Sequence, residues 1–286
     1  MSPLAVYRTI PEMRQAIAAA RQAGQRIGLV PTMGALHAGH ARLIEVALSE
    51  CDFVVVSIFV NPTQFGPNED FDRYPRSFAP DRELCARSGA AAIFAPDIAT
   101  MYRASFRTFV EVEGLQDLLC GAARPGHFRG VCTVVLKLFN IVQPDVAYFG
   151  QKDAQQALIL TRMVHDLDLP IEMRTVPTVR EADGLALSSR NQYLDPAQRK
   201  NAPALWQTLH EAQRQIESGE RDPNLIERMM MDRLSKVPGA RVDYARVVSA
   251  ETLQRLWRLQ GQILIALAVF FGQTRLIDNV QMDVKD

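Results

Sequence analysis

The sequence lacks an excess of charge of either sign, a paired cysteine motif and a long apolar run. Its 32 Lys and Arg residues balance 32 Asp and Glu residues, so nothing predicts a nucleic-acid footprint. The longest apolar run, residues 263–271, is too short to span a bilayer. The N-terminus has no signal-peptide pattern. We therefore expect a soluble, cytoplasmic protein that binds neither nucleic acid nor a membrane.

The cysteines are few and scattered. None of the four belongs to a CxxC pair, which argues against a disulfide or zinc framework. They are typical of free, largely buried thiols in a reducing compartment. The four are Cys51, Cys85, Cys120 and Cys132.

Strand-like and helix-like segments alternate through the first part of the chain. Nearly all-apolar, β-branched runs such as 53–60 are typical of central parallel strands covered on both faces. Strands are predicted at 26–30, 53–60, 91–94, 106–112, 146–149 and 171–176, and helices at 39–49, 80–88, 130–141 and 154–166. This order predicts an α/β fold, a Rossmann-like doubly wound parallel sheet whose strand carboxyl ends share one edge, where ligands bind.

The character of the sequence changes after about residue 177. Two polar, helix-rich segments are predicted at 196–219 and 223–237, and strands at 242–248, 263–270 and 274–280. We therefore expect two domains, a first domain over 1–176 and a second, smaller α+β domain over 177–286. The stretch "TVPTVREADG", residues 175–184, is predicted to be the hinge.

The stretch "PTMGALHAGH", residues 31–40, leads from a predicted strand into a predicted helix. Backbone N–H groups at such a junction favour phosphate, and Gly34 and Gly39 would allow close approach. His37 and His40 could then add side-chain donors on the same side. A capped helix with two solvated histidines is an equally supported interpretation. A zinc site is less favoured because no cysteine or carboxylate stands at a suitable spacing, and neither GxGxxG nor a Walker loop is present.

Polar clusters follow other predicted strands. Lys152 could meet a phosphate as a point charge, and Asp153 could cap the next helix or hold a ribose hydroxyl. Each cluster, taken alone, is also compatible with an ordinary polar loop. The remaining candidates are Asn61, Gln64, Asn68, Tyr74 and Arg76 after the second strand, Gln156 one turn beyond Lys152, and Ser188, Ser189 and Arg190 past the hinge.

Six motifs occur in a fixed order: "PTMGALHAGH", "FVNPTQF", "YPR", "RPGHFRGV", "FGQKDAQQ" and "DGLALSSRN". Because it carries these six motifs in this order, the chain closely resembles the pantoate–beta-alanine ligase (pantothenate synthetase) family. That family is part of the HIGH-type nucleotidyltransferase superfamily, which includes the class I aminoacyl-tRNA synthetases. The resemblance covers essentially the whole chain, most strongly residues 31–191. The superfamily's second signature, KMSKS, is represented by "LALSSRN", in which Arg190 is the only cation.

The resemblance implies an enzyme that ligates pantoate and beta-alanine in two steps. ATP and (R)-pantoate would give pantoyl adenylate and pyrophosphate, and beta-alanine would then displace AMP to give pantothenate, on the route to coenzyme A. Magnesium would bridge the ATP phosphates without a dedicated protein cage, and the chain would form a homodimer.

The resemblance also implies roles for particular residues. His37, His40, Lys152 and Arg190 would be catalytic, with His40 as a proton donor whose larger contribution we expect to be electrostatic. Gln64 and Gln156 would hold pantoate, and Gln64 would border beta-alanine. The residues bordering ATP would be Met33, Gly34, Ala35, Leu36, His37, Ala38, Gly39, His40, Gly150, Gln151, Lys152, Asp153, Val179, Leu187, Ser188, Ser189 and Arg190.

Two other interpretations share part of this evidence. A nucleotidyltransferase acting on a phosphate ester would share the histidine loop but would ordinarily need more cations, and it would not explain Asn61 and Gln64. A catalytically inactive nucleotide-binding regulator, or an RNA-binding relative of the synthetases, belongs to a different class. The intact polar set disfavours the inactive regulator, and the neutral charge disfavours RNA weakly.

Overall fold

The computed structural model describes residues 4–67 and 69–285. Asn68, one of the polar candidates, lies outside the described residues. The chain divides into two compact units. One unit runs to Gln151 and resumes from Gln156 to Pro177, and the other comprises Lys152–Gln155 and the chain from Thr178 onward.

The first unit is built around a six-stranded parallel sheet. This confirms the prediction of a doubly wound α/β fold. The strands are β1 (Ala5–Tyr7), β2 (Ile27–Thr32), β3 (Phe53–Ile58), β4 (Ala92–Phe94), β5 (Val146–Gly150) and β6 (Glu172–Val176). The helices are α1 (Ile10–Gln22), α2 (Ala38–Glu50), α3 (Phe78–Ser88), α4 (Ile98–Met101), α5 (Cys120–Ala123), α6 (His127–Val142) and α7 (Ala154–Asp166), the last with its first two residues in the second unit.

The strand order β1-β4-β3-β2-β5-β6 places a topological switch between β2 and β5. From β2 the chain continues to β3 and β4 on one side, and β5 and β6 extend the sheet on the other. Ligands of open α/β sheets bind in the crevice outside the carboxyl ends at such a switch. The segments that leave β2 and β5 are the signature loop, which we define as residues 31–40, and the turn that contains Lys152.

The core of this sheet follows from its sequence. Val54, Val55 and Val56 in the middle of β3 are fully buried, as expected for a β-branched central strand. Helix α2 packs Ile44 and Ala47 into the same core. All four cysteines are buried and lie outside any disulfide, as predicted.

The predicted strand at 106–112 is wrong. The segment forms no ladder in the structure, because its groups are bonded to α6 instead. The backbone N–H of Val110 donates to Thr133 Oγ1 over 3.0 Å, and the Arg129 guanidinium lies 3.8 Å from the centroid of the Phe109 ring. An aromatic and β-branched run can thus lie outside a sheet.

Sequence reasoning also missed β1 and α1. Strand β1 has three residues and is too short to give a pattern. Helix α1 does carry a start signal, since Thr9 and Glu12 form a capping box and Pro11 follows in the first turn.

The second unit contains a three-stranded antiparallel sheet packed against helices, which confirms the predicted α+β character. Its helices are α8 (Pro196–Asn201), α9 (Ala204–Glu217) and α10 (Pro223–Ser235), and its strands are β7 (Ala240–Ser249), β8 (Gly261–Phe271) and β9 (Thr274–Val284) in the order β7-β8-β9. Leu209 of α9, Ile226 and Met230 of α10, and Ile265 of β8 are fully buried in its core. Over the described ranges, no helix combines the length and apolar character that crossing a membrane requires.

Candidate active site

The two histidines of the signature loop cap helix α2 reciprocally. His37 is the N-cap, and its Nδ1 accepts the backbone N–H of Gly39 at 3.1 Å. The backbone N–H of His37 donates to Nδ1 of His40 at 3.2 Å. The ring centroids lie 4.2 Å apart. The capped-helix interpretation is therefore right about the cap, and the expectation that both rings lie together is also right.

This capping arrangement fixes the tautomer of both rings. Because each Nδ1 accepts a backbone N–H, a neutral imidazole must carry its hydrogen on Nε2. His37 and His40 therefore each offer an Nε2–H donor in the neutral state. Donation does not require either ring to be protonated.

Several backbone N–H groups of the signature loop are already bonded within the protein, and the binding of phosphate by this loop stays a prediction. Gly34 N–H donates to Thr32 Oγ1 at 3.2 Å. The N–H groups of Ala35 and Leu36 donate to the carboxylate of Asp81 at 3.0 and 2.7 Å. Those of His37 and Gly39 are used in the cap, and that of His40 donates to the His37 carbonyl at 2.9 Å. The histidine side chains are therefore the additional donors that the loop could direct at a ligand.

Asp81 is a site residue that sequence reasoning missed. It lies in the first turn of α3 and is 2 % exposed. Burial is the main influence and raises the pKa of Asp81, while the N–H groups of Leu36 and Ala35 lower it. The signal was present in the sequence, since Asp81 falls at helical spacing between Phe78 and Cys85, on the face that packs inward.

Open space lies beside the signature loop within the first unit. A cavity of about 610 Å³ is lined by Met33 and Gly34 of the loop, with Asp81 among the other lining residues. Apolar side chains including Ile58 and Phe78 form much of its wall. The loop therefore borders a space that could admit a small molecule.

Gln64 is held in a buried polar network. The turn Pro62–Gln64 follows β3, and Asn61, 1 % exposed, donates from Nδ2 to Gln64 Oε1 at 3.0 Å. Tyr102 donates its hydroxyl to Asn61 Oδ1 at 2.8 Å. Gln64 Nε2 lies 3.1 Å from the Met33 sulfur. The structure thus brings a predicted pantoate residue against a predicted ATP residue.

The "RPGHFRGV" motif positions the same turn from the other side. His127 Nδ1 contacts the Gln64 carbonyl at 2.8 Å, and its Nε2 lies 2.9 Å from Arg124 Nη1. Arg124 is held in turn by an ion pair with Glu69. Gly130 permits close approach, because a Cβ there would lie 2.6 Å from the backbone nitrogen of Gln64.

Arg76 of the "YPR" motif serves its own loop. Its guanidinium donates to the carbonyls of Phe71 at 2.9 Å and Tyr74 at 3.4 Å. It also lies 5.0 Å from the centroid of the Phe71 ring. These contacts hold the Arg76 side chain against its own loop, and Arg76 also lines the cavity beside the signature loop.

Lys152 follows β5. Gly150 ends this strand, and Gln151–Asp153 form a single 3₁₀ turn before α7. Lys152 Nζ lies 3.8 Å from Asp153 Oδ2, and the Lys152 carbonyl accepts a hydrogen bond from Asn279 Nδ2 at 2.9 Å. Gln156 is half-buried on α7.

The remaining predicted ATP residues form one local motif in the second unit. Leu187 N–H donates to the Val179 carbonyl at 3.0 Å, and Arg180 bridges Ala186 in the antiparallel sense. These pairs close a short hairpin. Directly after it, Ser188 caps the 3₁₀ helix Ser189–Tyr193 by accepting the Arg190 N–H at 3.2 Å.

A buried ion pair connects this hairpin with Lys152. Arg180 meets Asp278 with two hydrogen bonds, at 2.6 and 3.0 Å, and also donates to the Gly184 carbonyl at 3.1 Å. Asp278 is 2 % exposed. Burial raises the pKa of Asp278, and Arg180 opposes that rise. Since Asn279 is the next residue on β9 and donates to Lys152, the network spans both segments.

Side chains that could bind a metal ion do not cluster in the part of the chain that the structure describes. Within residues 4–67 and 69–285, no three His, Cys, Asp or Glu side chains form a group that could hold a metal ion.

The family model for pantoate-beta-alanine ligase matches residues 5–281. The chain belongs to the pantoate–beta-alanine ligase family. It is 57% identical to the pantothenate synthetase of Moorella thermoacetica, over 98% of this chain and 99% of that relative. It is 51% identical to the pantothenate synthetase of Acetivibrio thermocellus, over 98% of this chain and 99% of the relative.

Solved structures agree with this membership in the pantoate–beta-alanine ligase family. The crystal structure of pantothenate synthetase from Thermus thermophilus superposes with a TM-score of 0.93 at 46% identity, covering 99% of this chain and 100% of that one. A pantoate-beta-alanine ligase from Francisella tularensis, complexed with beta-gamma ATP and beta-alanine, gives a TM-score of 0.79 at 34% identity over 97% of both chains. The chain is an enzyme of the ligase class.

Proposed function

We propose that this chain joins (R)-pantoate to beta-alanine to form pantothenate, converting ATP to AMP and pyrophosphate through pantoyl adenylate. The observation that carries the proposal is the pair of reciprocally capped histidines at the switch point between β2 and β5. In a chain of this family, such fixed donors match a reaction that builds negative charge on phosphate oxygens.

In the first step, a carboxylate oxygen of pantoate attacks the α-phosphorus of ATP. A new O–P bond forms, and the bond to the departing pyrophosphate breaks. Charge grows on the α-phosphate oxygens and on the leaving group, where preorganised donors have their largest effect. We propose that the Nε2–H groups of His37 and His40, with Lys152 and Arg190, supply these donors. His40 then acts by hydrogen bonding, and its proton stays on Nε2.

In the second step, the amine of beta-alanine attacks the acyl carbon of the adenylate. A C–N bond forms, the acyl C–O bond breaks so that AMP departs with the former carboxylate oxygen, and the amine releases a proton to solvent water. We propose that Gln64 and Gln156 hold the pantoyl group and that Gln64 also borders beta-alanine. The Asn61 and His127 contacts support this role by fixing the side chain and the carbonyl of Gln64.

Several finer points belong to the same proposal. Magnesium would arrive with ATP and neutralise charge on its phosphates, held mainly by those phosphates and water. The enzyme would act in the cytoplasm as a homodimer. The unit from Thr178 onward would also limit access of water to the adenylate.

Pyrophosphate exchange tests the proposal. Labelled pyrophosphate should enter ATP when pantoate is present and beta-alanine is absent. Omission of pantoate is the control, and a phosphorylated acceptor in its place tests the rival nucleotidyltransferase. Exchange that strictly requires beta-alanine would contradict a separate adenylation step, and exchange only with a phosphate ester would support the rival.

A further inference from the structure

Asp81 is a buried carboxylate whose bonds run to the signature loop. It is 2 % exposed, and its oxygens accept the N–H groups of Leu36 at 2.7 Å and Ala35 at 3.0 Å. None of the ion pairs formed by the described residues includes it. Burying a carboxylate without a cation is costly. Its presence on the inner face of α3 therefore needs an explanation other than stability.

The two N–H groups belong to a constrained turn just before the histidine cap. The backbone is left-handed at Gly34, with φ of 86°, and at Ala35, with φ of 50°. An alanine rarely adopts this conformation unless its surroundings enforce it. Oδ2 of Asp81 holds Ala35 itself, and Oδ1 holds Leu36, which precedes His37. The carboxylate thus fixes the turn on which the cap is built.

Gly34 shows how closely the turn approaches the carboxylate. A Cβ at Gly34 would lie 3.0 Å from Asp81 Oδ2 and 3.2 Å from Ile58 Cγ2. The loop therefore sits so close to Asp81 that a methyl group at Gly34 would push its neighbours back by a few tenths of an ångström. Sequence distance hides this contact, because Ala35 and Asp81 are 46 positions apart.

We propose that Asp81 is a positioning residue for adenylyl transfer, which sets the placement of His37 and His40 through the backbone N–H groups of Ala35 and Leu36. This inference rests on the proposed function. Each ring is oriented by a backbone N–H of the same loop, so a shift of the turn moves both Nε2 donors together. A displacement of about 1 Å in such groups can cost about 100-fold in rate.

The test compares Asp81→Asn with Cys85→Ala in the full-length protein. Asn keeps the size of the side chain but turns an NH₂ group toward one of the two backbone donors. Cys85 is fully buried on the same face of α3 and has no bond to the loop. Single-turnover adenylate formation should fall about 100-fold in Asp81→Asn, with little change in the calorimetric Kd for ATP. Cys85→Ala should lower stability and keep the rate.

Amide hydrogen exchange separates this inference from the proposed function. The amides of Ala35 and Leu36 should exchange faster in Asp81→Asn than in the wild type and stay protected in Cys85→Ala. If the wild type shows no pantoate-dependent pyrophosphate exchange, the proposed reaction is wrong, and amide exchange alone then judges whether Asp81 holds the turn. Unchanged protection, or a near-normal adenylation rate in folded Asp81→Asn, would overturn the inference.

A second variant covers the case in which Asp81→Asn does not fold. Asp81→Glu keeps the carboxylate with its charge and both acceptor oxygens, but places it one methylene further from the backbone. It should fold, lose rate by a smaller factor and expose the same two amides. Wild-type rate and protection in Asp81→Glu would contradict the proposal, because the placement of the carboxylate would then be unimportant.

Discussion

Two buried aspartates, one in each unit, anchor the segments predicted to act on ATP. Asp81 and Asp278 are each 2 % exposed. Asp81 is satisfied by backbone N–H groups of the signature loop, whereas Asp278 is satisfied by the Arg180 guanidinium and the Asn279 N–H. The charge of Asp278 is thus neutralised by a cation, and that of Asp81 by peptide dipoles alone.

The difference indicates what each carboxylate does. Removing the charge of Asp278 leaves Arg180 buried without its counterion, so the second unit should lose stability. Removing the charge of Asp81 leaves no cation behind, so the first unit should keep most of its stability and lose the placement of its loop. Asp278 mainly stabilises the second unit, and Asp81 mainly sets the position of the signature loop.

The largest effect is expected for Asp278→Asn. Breaking one partner of a buried ion pair typically costs about 3–5 kcal/mol, and the side chains of Arg180 and Asp278 are only 17% and 2% exposed. Urea denaturation followed by Trp206 fluorescence should report this loss, since the Arg180 guanidinium lies 3.9 Å from the centroid of the Trp206 ring.

The matched control is the exposed pair of Glu83 and Arg87, whose side chains are 67% and 68% exposed. Glu83→Gln should change the free energy of unfolding by at most about 0.5 kcal/mol. A loss below about 1 kcal/mol in Asp278→Asn would mean that the buried pair is not the anchor we describe.

Replacement of His40 should cost about 10²–10³ in adenylation rate, the usual effect of losing one preorganised donor. His40→Gln can place an N–H near the position of Nε2, whereas His40→Asn places one near Nδ1. Single-turnover adenylate formation should therefore decrease in the order wild type, Gln, Asn. An Asn variant faster than the Gln variant would contradict the Nε2–H tautomer.

Gly130→Ala should weaken pantoate binding. A Cβ at this position would lie 2.6 Å from the backbone nitrogen of Gln64, so the turn that carries Gln64 must shift, at a typical cost of about 1–3 kcal/mol. Calorimetry should show the loss for pantoate and little change for ATP. Gly66→Ala is the control, because its nearest contact would be 3.6 Å away, and equal losses in both variants would refute the argument.

The smallest effect concerns pH. Burial raises the pKa of Asp81, so the folded protein binds this proton more tightly than the unfolded chain does. The resulting stability is present below the ordinary aspartate pKa and is lost as pH rises through the raised value. Relative to Asp81→Asn, the wild type should therefore be more stable in acid than at neutral pH.

Asp97 provides a control of opposite sign for this pH dependence. Hydrogen bonding with Thr100 lowers the pKa of Asp97, so its contribution is present above the ordinary value and is lost as pH falls. Urea denaturation of wild type, Asp81→Asn and Asp97→Asn at several pH values measures both dependences. If the free energy of unfolding changed with pH in the same way in both variants, the opposite directions given for the pKa of Asp81 and the pKa of Asp97 would be wrong.

The fold was predictable where the local sequence pattern of a segment agrees with the contacts that the segment makes in the folded protein. Helix α7 has the predicted bounds, 154–166, and β3 begins at the predicted residue 53. The segment 106–112 has the composition of a strand, but its partners lie on α6, and composition does not reveal partners. The motifs of the candidate site could be recognised in the sequence because each motif is local, and the roles of their residues stay predictions.

The contacts that organise the site were not predictable in this way. Asp81 binds a loop 46 positions earlier, and Asn279 binds Lys152 from 127 positions away. Composition carries no information about such pairs. A glycine-containing turn before a helix ordinarily predicts N–H groups that are open to a ligand. The N–H groups of Ala35 and Leu36 are instead bonded to Asp81.

The central claim is that pantoate itself attacks ATP. Pantoate labelled with ¹⁸O in its carboxylate, incubated with ATP and beta-alanine, should transfer one labelled oxygen to AMP in each turnover and none to pyrophosphate. Mass spectrometry of the two products reads this directly. Unlabelled AMP, or label in pyrophosphate or inorganic phosphate, would contradict a pantoyl adenylate.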